Sequence, residues 1–276
     1  MDPWRHPEIA EAVRRALAED VGSGDVTTEA CVDERAQSAG FFLTRQPLVV
    51  AGLPLLPLIY DREELELLAA DGDELGAEQI FARVRGSARR LLTLERTALN
   101  FLQRTCGIAT QARRFVRAVE GTGCRILDTR KTTPGLRRLE KLAVAAGGAT
   151  NHRVGLWDAI LIKNNHITAA GGVGAALERV RDAELPVEIE VRSWEELDEA
   201  LAAGAESLLL DNFPPDQALE AVRRIAGRAR VEISGGITFE TVRAYAASGA
   251  DFVSVGALTH SVRAADISFR IEKILA

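Results

Sequence analysis

The sequence PVEIEVRSWEELDEALAAGAESLLLDN, from Pro186 to Asn212, predicts a strand, a helix and a second strand. Ser193 followed by Glu196 is typical of a capping box at the start of a helix, and Gly204 is a residue that commonly ends one. Because a helix that joins two strands in this way returns the chain to the same edge, the two strands are expected to be parallel.

The same alternation of short apolar runs and helical segments continues on both sides of this unit, at intervals of about twenty residues. The predicted strands cover residues 124–129, 159–163, 186–192, 207–212, 230–236 and 251–256. The predicted helices between them cover residues 136–147, 172–184, 193–204, 215–227 and 238–249. This repetition predicts an α/β fold built on a parallel sheet or barrel.

The beginning of the chain follows another pattern. Strands of a small sheet are predicted at Phe41–Leu43, Leu48–Val50 and Ile80–Val84, followed by a helix at Arg89–Thr105. A second helix is predicted after Gly107, at residues 108–120. We therefore expect one domain at residues 1–107, joined by residues 267–276, and a barrel domain at residues 108–266.

Composition excludes several classes of protein. The 276 residues carry a net charge of −6 with a pI near 5.4, which argues against general nucleic-acid binding. Three cysteines without metal-ligand spacing favour neither a disulfide framework nor a zinc site and fit a reducing cytoplasm. The longest apolar run, from Leu48 to Tyr60, is short and broken by prolines, so no membrane segment is expected.

Polar or small residues follow almost every predicted strand of the barrel. Because barrel enzymes carry their working groups at the carboxyl ends of strands, these positions are the candidate active site. In chain order they are Asp128 with Arg130 and Lys131, then Lys163, Glu190, Asp211, Ser234 with Gly235 and Gly236, and Gly256.

The stretch from Asp128 to His166 concentrates cations in an otherwise acidic chain and predicts a polyanion site. Arginine offers a planar fork to carboxylates or phosphates, and lysine a compact charge. The candidates are Arg130, Lys131, His152, Arg153 and Lys163. Surface cations and a structural histidine are the alternative interpretation. Cations on the following helix, Arg137, Arg138 and Lys141, are expected to form a solvated face.

Alternation along residues 186–192 predicts that Glu188, Glu190 and Arg192 face the barrel interior, and Glu232 with Ser234 repeats the pattern. Carboxylates at successive strand ends, Glu190 and Asp211, are candidate Mg²⁺ ligands, although such residues are frequent without a metal. The turn Ser234–Gly236, with a helix expected to start near Thr238, predicts a phosphate site. Gly256 would allow close approach of the backbone. Glycines that serve only the turns are the alternative.

At this point the sequence resembles the quinolinate phosphoribosyltransferase family, also called carboxylating nicotinate-nucleotide pyrophosphorylases, almost from end to end. The resemblance rests on EDVGSGDVTTE (19–29), LERTALNFLQRTCGIAT (94–110), DTRKTTPGLR (128–137), NHRVGLWDAILIKNNH (151–166), IEVRS (189–193), LLLDN (208–212), ISGGI (233–237) and VGALTHS (255–261). Leu142, Ala149 and Asn164 depart from its commonest form and put only local packing in doubt.

The resemblance implies an irregular TIM-like α/β barrel of the type II phosphoribosyltransferase kind, with an N-terminal α+β sandwich domain. It also implies a homodimer, or a higher oligomer, in which Arg96 reaches the partner's active site. Arg96, Arg130, His152, Arg153 and Lys163 would line the quinolinate pocket. Positions associated with phosphoribosyl pyrophosphate, its Mg²⁺ or the phosphate would be Lys131, Glu190, Asp211, Ser234, Gly235, Gly236, Gly256 and His260. Catalytic roles would fall to Lys131, Lys163, Glu190 and Asp211.

The implied activity is a pentosyl transfer: quinolinate and phosphoribosyl pyrophosphate give nicotinate mononucleotide, pyrophosphate and CO₂ in de novo NAD biosynthesis. Nearby alternatives are a phosphoribosyltransferase for nicotinate and the molybdenum-locus relatives. A sugar-phosphate lyase or synthase would explain Ser234–Gly236 but leave residues 128–135 and 151–153 without a purpose. A noncatalytic ligand-binding barrel would not need Glu190 or Asp211.

Overall fold

A computed structural model describes the backbone of residues 3–275 and the side chains of residues 3–272. Met1, Asp2 and Ala276, at the outer ends of the predicted domain 1–107 with 267–276, lie outside the described residues. The helices are α1 (Pro7–Val21), α2 (Val26–Cys31), α3 (Leu56–Ile59), α4 (Ala88–Ala118), α5 (Arg137–Ala146), α6 (Asn164–Ala170), α7 (Val173–Glu178), α8 (Trp194–Ala202), α9 (Pro215–Ile225), α10 (Val242–Ala246) and α11 (Ala257–His260).

Twelve strands are assigned in the described part of the chain. They are β1 (Gln37–Thr44), β2 (Leu48–Val49), β3 (Glu64–Leu67), β4 (Glu74–Leu75), β5 (Ile80–Ser87), β6 (Arg125–Leu127), β7 (Ile160–Ile162), β8 (Val187–Val191), β9 (Ser207–Asp211), β10 (Arg230–Ser234), β11 (Phe252–Ser254) and β12 (Ile267–Leu275).

The chain folds into two compact units, and each unit is built from segments that are not contiguous in the sequence. The first unit comprises residues up to Arg113, Thr132–Gly148 and residues from Thr259 onward. The second comprises Arg114–Lys131 and Ala149–Leu258. The range 108–266 predicted for the barrel domain therefore includes two segments, 132–148 and 259–266, that pack with the first unit.

The sequence led us to expect a break in the helix at Gly107, but the structure shows none. The predicted helices at 89–105 and 108–120 are one continuous helix, α4. A Cβ on Gly107 would lie 2.4 Å from the carbonyl oxygen of Arg263, far inside van der Waals contact. This glycine is therefore explained by the close approach of another backbone, which only a residue without a side chain permits.

The first unit is built on an antiparallel sheet with the strand order β12-β1-β5-β3. Its terminal strand β12 pairs with β1 along the whole length of β1. The sheet packs on a core in which Phe42, Tyr60 and Phe81 are almost completely buried. Leu91 and Leu102 on α4 belong to the same core, because apolar residues recur along one face of that helix.

The second unit contains a parallel sheet with the order β6-β11-β10-β9-β8-β7. Three strands separate β6 from β8, which would place them about 19 Å apart in a flat sheet. Nevertheless His152, which follows a bridge between Leu127 on β6 and Thr150, is hydrogen-bonded to Glu188 on β8. The sheet therefore curls around an interior, and the predicted α/β barrel is confirmed.

Two local predictions in this unit have different outcomes. At α8, the hydroxyl of Ser193 accepts the N–H of Glu196, so the predicted N-cap is confirmed, but the Glu196 carboxylate accepts the N–H of Arg192 and does not complete a capping box with Ser193. The helix expected near Thr238 instead begins at Val242, because the N–H of Thr238 donates to the Thr241 hydroxyl in a turn that precedes the helix. Gly236 and the first turn of α10 are thus separated.

Residues 3–275 include a helix of 31 residues, α4, but it carries too many charged side chains to cross a bilayer. Elsewhere in this range, no helix combines the length and the apolar character that a membrane span requires.

Candidate active site

Most of the predicted site residues lie at one edge of the parallel sheet. Arg130 follows β6, Lys163 follows β7, and Gly256 follows β11. Glu190 lies near the end of β8, and Asp211 and Ser234 are the last residues of β9 and β10. Parallel strands of one sheet end at the same edge, so the topology brings these side chains together. Arg96 on α4 and His260 at the end of α11 belong to the first unit.

A lysine and two carboxylates form an electrostatically linked group at this edge. The Nζ atom of Lys163 lies 3.0 Å from Oε2 of Glu190, whose side chain is buried. Burial and the nearby charge of Glu190 raise the pKa of Asp211, whereas Lys163, a hydrogen bond from Asn212 and Lys131 oppose the rise. A carboxylate whose pKa is raised by a neighbouring carboxylate favours binding of a cation, which is the electrostatic condition for a metal site.

Asn212 was not predicted as part of the site, although it follows Asp211 directly. Its amide nitrogen donates to Oδ2 of Asp211 at 2.8 Å, and its backbone is left-handed, with φ of 60°. A Cβ on Gly235 would lie 2.2 Å from Oδ1 of Asn212. Gly235 is therefore required by the packing of the asparagine that holds Asp211, in addition to its left-handed φ of 101°. An asparagine next to a strand-end aspartate was the available signal.

Arg130 and Arg153 form a pair of neighbouring cations, which we call the guanidinium pair. Burial and the charge of Arg130 lower the pKa of Arg153. The Nη1 atom of Arg153 donates to the carbonyl oxygen of Ala159 at 3.0 Å. The two guanidinium groups are half-buried and repel each other. Binding of an anion beside them is favoured, since its negative charge reduces this repulsion.

The loop after Arg153 is held by an aspartate that sequence reasoning did not select. The carboxylate of Asp158 accepts the main-chain N–H groups of Val154 at 2.6 Å and Gly155 at 3.0 Å. The ring of Trp157 lies against Gly155, where a Cβ would come within 2.2 Å of it. These contacts define the path of the loop that carries Arg153. Asp-turn patterns of this kind are short and common, so they gave little signal in the sequence.

His152 is fixed from three directions. Its main-chain N–H donates to Oδ1 of the buried Asp128 at 2.7 Å. Ring atom Nδ1 accepts the main-chain N–H of Arg153 at 2.6 Å, and Nε2 lies 3.2 Å from Oε2 of Glu188 and 3.4 Å from Oε2 of Glu232. Both ring nitrogens therefore have protein partners. The role of His152 in lining a substrate pocket stays a prediction.

The group formed by His152, Glu188 and Glu232 is named the histidine cluster below. As predicted from strand parity, Glu188 and Glu232 turn into the barrel, where they accept hydrogen bonds from Ser207 at 3.1 Å and Ser254 at 2.5 Å. Burial lowers the pKa of His152, but hydrogen bonds to Glu188 and Glu232 and their charges outweigh it and raise the pKa to about 9. Burial also raises the pKa of Glu232.

These contacts hold a proton on Nε2 of His152, which faces both carboxylates. Nδ1 can accept the N–H of Arg153 only while it carries no proton of its own.

Lys131 is exposed after β6, and its main-chain N–H donates to the Thr129 hydroxyl at 3.0 Å. Lys163 is fixed at the start of α6, where its main-chain N–H donates to Nδ1 of His166 at 2.9 Å. His166 was quoted in the sequence pattern without being given this role. The Nζ atom of Lys163 is paired with Glu190 at 3.0 Å, and the charge of Lys131 acts on Asp211.

The expected solvated face on α5 is only partly correct. Arg138 pairs with Glu8 at 2.8 Å on the surface of the first unit. Arg137 donates to the Thr132 hydroxyl at 3.1 Å. Lys141 is 2 % exposed, so the prediction that it is solvated was wrong. Its apolar neighbours on the helix, Leu139 and Val144, are buried as well.

Comparison with known proteins assigns the chain to a family. The family described as "Quinolinate phosphoribosyl transferase, C-terminal domain" matches residues 108–270, and its N-terminal domain counterpart matches residues 25–106. The chain belongs to this family. The resemblance inferred from the sequence motifs is thereby confirmed.

Members of the family are similar to this chain over almost their whole length. A "Nicotinate-nucleotide pyrophosphorylase [carboxylating]" of Mycobacterium leprae is 46 % identical over 269 residues, covering 93 % of this chain and 95 % of the relative. The crystal structure of NadC from Streptococcus pyogenes superposes with a TM-score of 0.93 at 38 % identity, covering 100 % of this chain and 99 % of that one. A nicotinate-nucleotide pyrophosphorylase from Francisella tularensis gives 0.92 at 35 %, covering 99 % of both chains.

Proposed function

We propose that the protein transfers phosphoribosyl from phosphoribosyl pyrophosphate to quinolinate and releases CO₂, forming nicotinate mononucleotide and pyrophosphate for NAD biosynthesis. The observation that carries this proposal is the guanidinium pair, Arg130 and Arg153, at the same sheet edge as Glu190 and Asp211. The first group suits a dicarboxylate, and the second suits a metal-bound pyrophosphate. Family membership and the names of the relatives support the same reaction.

Glu190 and Asp211 would hold Mg²⁺ together with the oxygens of the donor. Their fit to the ion rests on the raised pKa of Asp211, which records crowding of negative charge. When bound, Mg²⁺ offsets the charge that develops on pyrophosphate. Lys163 keeps Glu190 in place through its 3.0 Å contact, and Lys131 contributes a positive charge near Asp211. Ser234, Gly235 and Gly236 at the end of β10, together with Gly256 and His260, are the proposed contacts of the donor's phosphates.

The pyridine nitrogen carries its own lone pair, so attack on the ribose needs alignment more than a base. Arg130, Arg153 and Lys163 orient the ring by its carboxylates, and His152 lines the pocket beside them. Attachment to ribose leaves a positive ring nitrogen beside the carbon that loses CO₂, and this charge stabilises the resulting carbanion. A proton must then reach that carbon. Lys131 and Lys163 are the proposed donors.

Assembly as a homodimer, or a larger oligomer, belongs to the same proposal, with Arg96 completing the partner's site. Arg96 is exposed on α4, the helix whose opposite face fills the core of the first unit. On the second unit, Leu156 and Trp157 are 70 % and 66 % exposed, which is unusual for adjacent large apolar residues. A second copy of the chain would cover them.

Subunit mixing tests the shared site. Arg96→Ala and Lys131→Ala chains are each expected to lose about 10²-fold or more in turnover, as for loss of one positioned charge stabiliser. A mixture that has been unfolded and refolded together should regain part of the activity, because hybrids contain one intact site. Mixtures as inactive as the separate variants would contradict a site shared between chains.

The compartment we propose is the cytoplasm. All three cysteines, Cys31, Cys106 and Cys124, are free thiols, as expected in a reducing environment. The partners expected are small molecules, with no role for nucleic acid or a membrane.

The reaction itself is tested by supplying phosphoribosyl pyrophosphate and Mg²⁺ with either quinolinate or nicotinate. Quinolinate should give nicotinate mononucleotide and CO₂ in equal amounts, and omission of Mg²⁺ should slow the reaction strongly. Turnover of nicotinate with none of quinolinate would overturn the assignment in favour of the nicotinate-specific alternative.

A further inference from the structure

The histidine cluster lies inside the barrel beneath the candidate site, and its two carboxylates have no place in the proposed reaction. Glu188 is held by Ser207 and Glu232 by Ser254, so each carboxylate has one oxygen bound to a serine and the other directed at His152. A stable core does not require one buried and one half-buried acid around a single imidazole, because burial of charge is costly. The arrangement therefore calls for a functional explanation.

The geometry identifies what the carboxylates fix. The hydrogen bond made by one imidazole nitrogen determines the orientation and the proton position of the other. Here Nε2 is engaged by Glu188 and Glu232, and Nδ1 consequently faces the main-chain N–H of Arg153. Asp128 fixes the main-chain N–H of His152 itself. The backbone at Arg153 is thus connected to the barrel interior by an unbroken chain of hydrogen bonds.

We propose that Glu188 and Glu232 are positioning residues for substrate binding: by holding the Nε2 edge of His152, they orient its Nδ1 toward the main-chain N–H of Arg153 and so set the place of the Arg153 guanidinium. This inference rests on the proposed function, in which Arg153 binds a carboxylate of quinolinate. The carboxylates touch neither substrate in this scheme. They act through the histidine.

The consequence is a selective effect on one of the two substrates. Glu188→Ala should raise the KM for quinolinate by about 10-fold, the scale on which loss of an outer carboxylate partner of a histidine acts. The KM for phosphoribosyl pyrophosphate should change less than about 2-fold, as no donor contact is altered. Glu188→Gln should recover most of the affinity, because its amide oxygen can still accept the Nε2–H.

Two spectroscopic measurements separate positioning from a merely structural role. The chain has four histidines, His6, His152, His166 and His260, so ¹⁵N ring signals can be assigned by substituting each in turn. In the wild type at a pH above about 9, where the ring is neutral, His152 should show a protonated Nε2 and a hydrogen-bonded, unprotonated Nδ1. In Glu188→Ala and Glu232→Ala this signature should shift, and amide hydrogen exchange at Arg153 should accelerate.

Glu220→Gln, a change of an exposed carboxylate on α9, serves as the matched control and should leave all these values unchanged. The proposal is overturned if Glu188→Ala and Glu232→Ala fold, yet leave the His152 signature and the Arg153 exchange rate as in the wild type. It is equally overturned if the two KM values rise together. If the wild type does not use quinolinate, the proposed function is rejected. The positioning role is then tested only by the ¹⁵N ring signals of His152 and by amide hydrogen exchange at Arg153. A variant that does not fold is replaced by its leucine counterpart, which fills a similar volume but cannot accept the Nε2–H, and is judged by the same signals.

Discussion

The two units bury charge in opposite ways. In the first unit, Arg104 donates to Oε1 of Glu140 at 2.7 Å and to the carbonyl oxygen of Thr259 at 2.6 Å, while Oε2 of Glu140 accepts the N–H of Thr133 at 3.2 Å. One cation balances one anion. In the histidine cluster of the second unit, two carboxylates surround a single imidazole.

This difference distinguishes a pair that stabilises the fold from a cluster that supports function. The buried Glu140 is paired with the half-buried Arg104, and such a pair is costly to break but leaves no charge that a ligand could use. A cluster of two acids around one base raises the pKa of its histidine and fixes the ring, and perturbed pKa values of this kind are common at functional sites. We therefore assign Arg104 and Glu140 to the framework of the first unit and the histidine cluster to the support of the site.

Breaking the balanced pair should have the largest effect on stability. Glu140→Ala leaves the guanidinium of Arg104 without its carboxylate and should reduce the free energy of unfolding by about 3–5 kcal/mol. Denaturant unfolding measures this change. The double variant Arg104→Met with Glu140→Leu should recover much of the loss, because it removes both charges. A Glu140→Ala protein as stable as the wild type would contradict the structural role of the pair.

The unbalanced cluster should instead make stability depend on pH. The folded-state pKa of His152 is raised from 6.5 to about 9, so the stability it contributes is fully present below pH 6.5 and is lost as pH rises to about 9. Glu232 also has a raised pKa and acts in the same direction, from its ordinary value upward. Unfolding free energies across pH 6–9.5 should thus decline, and His152→Gln should flatten the decline. An equally steep decline in that variant would show that other groups cause it.

The smallest effect is expected from Ser207, which contacts the oxygen of Glu188 that is not directed at His152. Ser207→Ala removes the hydroxyl that donates to Oε1 of Glu188 and should cost about 1 kcal/mol of stability. Nε2 of His152 keeps its contact with Oε2, so the KM for quinolinate should stay within about 2-fold of the wild type. A rise as large as that expected for Glu188→Ala would move Ser207 into the positioning network.

The barrel could be predicted from the sequence, and so could the sheet edge that carries the candidate site, because both depend on local patterns. Strand parity placed Glu188 and Glu232 on the interior face, and the strand ends gave Glu190 and Asp211. The sequence did not predict that His152 would be fixed by those interior acids, since that contact joins β8 and β10 to a segment beyond β6. The burial of Lys141 and the continuity of α4 through Gly107 likewise depend on distant partners, which periodicity cannot contain.

The proposed reaction depends on recognition of a dicarboxylate by the guanidinium pair. Isothermal titration calorimetry of quinolinate and nicotinate, with the wild type and with Arg153→Ala, tests it most directly. The wild type should bind quinolinate at least about 10-fold more tightly than nicotinate, on the scale of one charge-assisted contact, and Arg153→Ala should lose most of that advantage. Equal affinity of the wild type for the two ligands, or an advantage that survives in Arg153→Ala, would contradict the account.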